Sequence, residues 1–210
     1  MLQDVLAVTS VHSIGIRAEL RKFRKEFFTY NMNYGEIKKC DIANGEGVRV
    51  SLFVSGCTHH CKGCFNAATW DFSFGNEYTK ETEDYIFDLL KSSYISGFSL
   101  LGGEPFEPCN QRAVIPLLRR IKAELPEKNI WCYTGYLFDK ELLSESRARC
   151  EVTDEMLSLI DVLVDGRFVV EKKNLNLLFR GSSNQRVIDL NKTRENGEVT
   201  VWAGLKDEKI

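Results

Sequence analysis

An α/β fold with a mainly parallel sheet is what three features of this 210-residue sequence predict. Short runs rich in β-branched and aromatic residues alternate with stretches of helical apolar spacing. Each run stops at a glycine-bearing loop: 48–54 at Ser55-Gly56-Cys57, 98–101 at Gly102-Gly103-Glu104, 130–133 at Thr134-Gly135, and 161–164 at Asp165-Gly166. Right-handed crossovers put the C-terminal ends of such strands on one rim, where α/β sheets and barrels bind ligands. The length is also informative: it is enough for one sizeable core and too short for eight ordinary βα units, so any barrel is expected to be partial.

Residues 1–31 stand apart from this pattern. Positions 16–28 (IRAELRKFRKEFF) carry five basic residues against two acidic ones, with Ile16, Leu20, Phe23 and Phe27 spaced as one helical face. A partner- or membrane-binding helix, an organelle-targeting leader, and a stretch translated upstream of the true start all compete. The last is preferred, because Met32 opens a self-sufficient domain sequence and targeting leaders avoid acids more strictly. The working domain is therefore 32–210, closing in a polar tail.

Within it, Asp41-Ile42-Ala43-Asn44-Gly45-Glu46-Gly47 reads as a hairpin or entry turn, whose glycines also leave room for a ligand. Thr79 is placed to cap a helix with Glu81, Glu83 and Asp84 in its first turn and Ile86, Leu89 and Leu90 on its apolar face. A second helix buries Val114, Leu117, Leu118 and Ile121. It is expected to start or kink near Pro116, which has no amide proton to donate, and to end at Pro126. Thr153 is read as the cap of a short third helix. Residues 187–190 suggest an edge strand and 199–202 a further strand.

Composition narrows the function. Apolar residues make up 43% and charged residues 28%, the balance of an ordinary soluble globular protein, and the net charge of −2 gives no basic field to draw nucleic acid. No run of ~20 apolar residues is present to span a membrane. Seven cysteines is an odd number, and three of them fall within eight residues. That pattern fits thiolate ligation of a metal in a reducing cytoplasm better than a secreted disulfide scaffold, and the first thirty residues carry no secretory signal.

The three are Cys57, Cys61 and Cys64, a Cx3Cx2C set in Cys-Thr-His-His-Cys-Lys-Gly-Cys. A structural zinc site with His59 or His60 as fourth ligand competes, although zinc folds usually pair two short ligand clusters and only one exists here. A cubane iron–sulfur cluster on three thiolates leaves one iron open to an exogenous ligand, a catalytic arrangement. A ferredoxin-type centre would require Cys40 or Cys109 as a fourth thiolate.

Cx3Cx2C after one strand and a glycine-rich loop after the next resemble the radical S-adenosylmethionine superfamily. That superfamily usually has an aromatic residue before the third cysteine; here Gly63 precedes Cys64 and Phe65 follows it. This variant, in Val54-Ser55-Gly56-Cys57 to Cys64-Phe65-Asn66, is similar to the activating proteins of anaerobic ribonucleoside-triphosphate reductases. The segments Gly102-Gly103-Glu104-Pro105, Trp131-Cys132-Tyr133-Thr134-Gly135-Tyr136, Val162-Leu163-Val164-Asp165-Gly166 and Arg180-Gly181-Ser182-Ser183-Asn184-Gln185 look like family segments in the family's order. The resemblance spans about 32–190, and residues 1–31 have no counterpart in it.

The resemblance implies a partial βα barrel of radical S-adenosylmethionine type. It implies a 4Fe-4S cluster on Cys57, Cys61 and Cys64, and S-adenosylmethionine bound by Gly63, Cys64, Phe65, Gly102, Gly103 and Glu104, with Phe65 near the adenine. Reductive cleavage of that cofactor would yield a radical that makes a glycyl radical on the large reductase subunit. The electron would come from a low-potential donor such as flavodoxin, and no side chain would act as general acid or base. Another radical S-adenosylmethionine enzyme and a zinc-binding module remain the alternatives.

Overall fold

The computed structural model describes residues 32–205, and the helix expected over 16–28 lies outside them. Strands β1 (Asn33–Asp41), β2 (Arg49–Val54), β3 (Asn76–Glu77), β4 (Gly97–Gly102), β5 (Asn129–Tyr133), β6 (Val162–Asp165) and β7 (Arg186–Asp189) form one open sheet in the order β3-β1-β2-β4-β5-β6-β7. The central strands β2, β4, β5 and β6 are parallel, while β1, β3 and β7 run antiparallel to their neighbours at the two flanks. The fold is mixed α/β around a parallel centre, and the sheet does not close. The expected edge strand at 187–190 is β7, shifted by one residue, whereas 199–202 contributes only a bridge from Val201 to Ile188. Residues 42–48 turn β1 into β2, so the hairpin reading of that segment holds.

Helix α1 (Lys80–Leu90) starts as expected: Thr79 accepts from the Thr82 amide, and Thr82 reciprocates with the Thr79 amide. Phe87 joins Ile86 and Leu90 in the core, with Leu89 only half-buried. Two helix starts need correction. Helix α2 (Pro108–Glu124) begins at Pro108, where a missing amide proton costs nothing, and runs through Pro116. Helix α3 (Thr153–Leu159) has Val152 as its N-cap; the Thr153 hydroxyl instead accepts from the Cys150 amide and donates to Gln111. A short α4 (Leu190–Asn196) ends at Gly197, whose φ of 75° suits the left-handed cap position.

Cross-strand register sorts the two faces of the sheet. Leu52, Leu100, Cys132, Leu163 and Ile188 form a row on one face, all fully buried. By the period of two, Phe53, Leu101 and Tyr133 fall on the other face with Val164 and Val187. On that second face Trp131, Val162, Val164 and Val187 form a core closed by Phe179 and Trp202. Arg49 lies fully buried there, over the Trp131 ring. Its guanidinium donates to Ser99 Oγ (2.6 Å) and to the carbonyls of Phe98 (2.7 Å), Asn129 (3.1 Å) and Glu46 (3.0 Å). Burial pulls its pKa down to about 10, which leaves it a cation at neutral pH, and those carbonyls replace its hydration. The β1–β2 turn is thereby pinned across β4 and β5.

Candidate functional site

At the C-terminal rim of the parallel strands lies a cavity of about 450 Å³, within the range of small-molecule and cofactor sites. The loops after β2, β4, β5 and β6 all reach it, through Cys57, Gly103, Gly135 and Gly166 among others. Phe53, Leu101 and Tyr133 line it from the sheet. Cys57, Cys61 and Cys64 share it with Gly102, Gly103, Glu104 and Phe65. Cys40, Cys109, Cys132 and Cys150 do not line it.

The cysteine loop is anchored before it reaches the first thiol. Gly56 adopts φ 92°, and the amides of Gly56 and Cys57 donate to the carbonyls of Thr69 (2.8 Å) and Trp70 (3.1 Å). A tight turn at Gly63, φ 74°, brings the Cys64 amide to the Cys61 carbonyl at 3.1 Å. Burial pushes the Cys57 thiol up to about 11, opposed by the His59 and His60 amides. Burial raises Cys61 as well, opposed by the Phe168 amide, and the Asn66 amide donates to Cys64 Sγ at 3.4 Å. Backbone N–H groups thus lie beside the sulfurs, the kind of surrounding contact that orients and tunes metal ligands. Among the described residues, no three His, Cys, Asp or Glu side chains are grouped closely enough to hold a single metal ion.

The loop after β4 packs against the cysteine loop with no room to spare. Gly102 has φ 112°; a Cβ on Gly103 would lie 2.5 Å from the Gly56 carbonyl oxygen and 2.9 Å from that of Thr69. The Gly103 amide donates to Val54, and the Glu104 amide to Gly56 at 2.8 Å. The Glu104 side chain is 1% exposed in total and accepts from the Phe106 amide, the Thr134 hydroxyl, the Gly135 amide and His59 Nε2, at 2.8, 2.8, 2.8 and 2.9 Å. Every partner is a donor, which is the pattern of a carboxylate anion with its lone pairs filled.

His59 lies in the cysteine loop with its side chain only 2% exposed. Arg147 reaches its Nδ1 at 3.2 Å, and a guanidinium can only donate. The ring is therefore in the tautomer that carries its proton on Nε2 and donates it to Glu104. Tyr136 packs edge-on at 4.3 Å and accepts from Arg147 Nε. Beside it, Glu107 accepts from both the amide and the hydroxyl of Thr58. His60, at φ 49°, stacks on Trp70 instead.

Phe65 lines the mouth, 61% exposed, edge-on to Phe168 and with the Lys173 ammonium 4.8 Å from its ring centroid. Phe168, Phe179, Ala43 and Asn44 also line the cavity. The last two carry the ligand option of the β1–β2 turn; the phenylalanines sit in an irregular stretch with no periodic signal. Asp165 points elsewhere: fully buried, it accepts from Arg186 and from the Phe138 amide.

Three thiols facing backbone amides, on a glycine-bounded rim of an open parallel sheet, are the marks of a single-cluster iron–sulfur protein. The family described as a 4Fe-4S single cluster domain matches residues 43–188. Proteins named anaerobic ribonucleoside-triphosphate reductase-activating protein are similar over nearly their full length. That of Vibrio cholerae is 47% identical over 156 residues, 73% of this chain and 96% of the relative. That of Escherichia coli K12 is 47% identical over 158 residues (74% and 97%), and that of phage T4 is 42% identical over 160 (74% and 93%). The chain belongs to the family of anaerobic ribonucleoside-triphosphate reductase-activating proteins.

Proposed function

We propose that this chain activates an anaerobic ribonucleoside-triphosphate reductase by generating a glycyl radical on its large subunit, with electrons from a low-potential donor such as flavodoxin. The observation that carries the reading is the meeting of Cys57, Cys61 and Cys64 with the Gly102-Gly103 strand end in one cavity. Cys57, Cys61 and Cys64 would hold a 4Fe-4S cluster. The match to the 4Fe-4S single cluster domain family supports that group over zinc, and among the described residues no second cluster of ligands pairs with this loop as zinc folds usually require. Such a cluster, held by these three thiolates, would supply the electron for reductive cleavage of S-adenosylmethionine, the source of the radical equivalent passed to the reductase glycine.

The chain's own part is to bind, orient and shield. Gly102 and Gly103 would present backbone to the methionine end; a Cβ on either would run into the backbone of β2 or of the Gly56 loop, so only glycine lets this loop close on its neighbours. Cys64 lines the cavity beside them, Gly63 shapes the turn that carries it without lining the cavity itself, and Phe65 with Phe168 gives an aromatic wall for the adenine. Glu104 contributes by holding the loops, because its carboxylate is filled by protein donors. The open sheet is read as a partial βα barrel of radical S-adenosylmethionine type, whose unclosed side admits a protein loop as substrate.

The test is anaerobic reconstitution with iron and sulfide, followed by dithionite and S-adenosylmethionine. The expected product is 5′-deoxyadenosine, and a glycyl EPR doublet should appear when the reductase is added. Stoichiometric zinc without iron or sulfide after anaerobic purification would refute the reading.

A further inference from the structure

We propose that His59 is a positioning residue that sets the cysteine loop in register with the Gly102-Gly103 loop, so that cluster and S-adenosylmethionine meet correctly. The inference rests on the function proposed above and assigns a part to a residue outside the proposed ligand set, whose two ring nitrogens are both taken by protein groups. Both nitrogens are engaged: Nδ1 accepts from Arg147 at 3.2 Å, and Nε2 donates to Glu104 at 2.9 Å. Glu104 follows directly on Gly103, and its other contacts fix Thr134 and Gly135. One ring thus ties three strand-end loops together through a single buried carboxylate.

The fit is close. A Cβ on Gly135 would lie 2.5 Å from the His59 ring, so the loop after β5 packs flush against it. The next residue, Tyr136, packs edge-on to the same ring at 4.3 Å. His59 sits between two of the three proposed ligands, Cys57 and Cys61, so displacement of its ring is transmitted to both within two residues. Loss of the ring also leaves Glu104 one donor short inside the protein, where a buried charge has no water to turn to.

His59→Ala and His59→Gln separate positioning from mere stability, because glutamine can donate its amide to Glu104 and accept from Arg147 as the neutral imidazole does. The reconstituted full chain is reduced and titrated with S-adenosylmethionine, and the change in the cluster's EPR spectrum is followed. Iron content per chain should stay near the wild-type value in both variants, since all three cysteines remain. The half-saturating S-adenosylmethionine concentration should rise about tenfold or more in His59→Ala, the scale of one hydrogen bond lost from a buried charge, and stay within about threefold in His59→Gln. Glu104→Gln combined with His59→Ala should be no worse than the more severe single variant, as expected of one shared contact.

An unchanged titration in His59→Ala, beside a responsive wild type, overturns this proposal alone. So does equal impairment of the alanine and glutamine variants. A wild-type chain whose spectrum ignores S-adenosylmethionine overturns the activase reading, and this proposal with it.

Discussion

Gly103→Ala tests the close approach of the two loops at the site. A Cβ there would lie 2.5 Å from the Gly56 carbonyl oxygen, while ordinary contact begins near 3.4 Å, so the two loops must part by about 0.9 Å. The Glu104 amide to Gly56 carbonyl bond, 2.8 Å in the native chain, then stretches to roughly 3.7 Å, beyond useful range. Overpacking costs about 1–3 kcal/mol and the lost hydrogen bond about 1 kcal/mol. Together these should lower the melting temperature of the iron-free chain by roughly 5–15 °C. Gly197→Ala is the control: φ is 75° there, but nothing lies within 4 Å of the added carbon. It should cost only about 1 kcal/mol of backbone strain and leave S-adenosylmethionine cleavage unchanged. Melting by circular dichroism, iron per reconstituted chain and 5′-deoxyadenosine yield read out both variants. A Gly103→Ala chain that melts with the wild type and cleaves the cofactor normally would show that the two loops do not meet as described.

Three further outcomes are expected. Alanine at Cys57, Cys61 or Cys64 should abolish both the cluster's absorbance and reductase activation, whereas alanine at Cys40, Cys109, Cys132 or Cys150 should leave reconstituted iron content unchanged. Glu151 is held down to about 2 by its hydrogen bonds to Arg112, so its contribution is present above its ordinary value of 4.5 and is lost as pH falls toward 2. The pair is half-exposed, so Glu151→Gln should cost about 0.5–1 kcal/mol in urea unfolding at pH 7, a difference that closes below pH 4.5. A chain starting at Met32 should activate the reductase as well as the full sequence does, measured by the glycyl EPR doublet.

The rim was legible because each parallel strand advertises its own end. A short apolar run followed by glycine reports a strand and its exit without help from elsewhere, as Phe98-Ser99-Leu100-Leu101 followed by Gly102 illustrates. Strand β1 was not legible. Asn33–Asp41 offers only Tyr34 and Ile37 as large apolar side chains among Glu36, Lys38 and Lys39, and it is held by backbone pairing with β2 and β3. The start of α2 was misplaced because Pro116 drew the eye from Pro108, and because Glu107 before it caps nothing; its carboxylate serves Thr58. The link from His59 to Glu104 joins residues 45 apart, and no local pattern encodes such a meeting. The geometry gives both histidines protein partners that no local pattern announces, His59 the Glu104 carboxylate and His60 the Trp70 ring.

The anchoring of the cysteine loop bears on how a cluster would be loaded. The bonds that shape the loop run from Gly56 to Thr69, from Cys57 to Trp70, from Thr58 to Glu107 and from Glu104 to Gly56, all between protein groups. In a zinc finger the metal organises the chain, and much of its binding energy goes into ordering its own ligands. Here that ordering belongs to the folding of the sheet, so a cluster held by this loop would enter a socket shaped before it arrives. Its assembly and loss would then leave the domain folded, with the chain ready to be reloaded after oxidative damage.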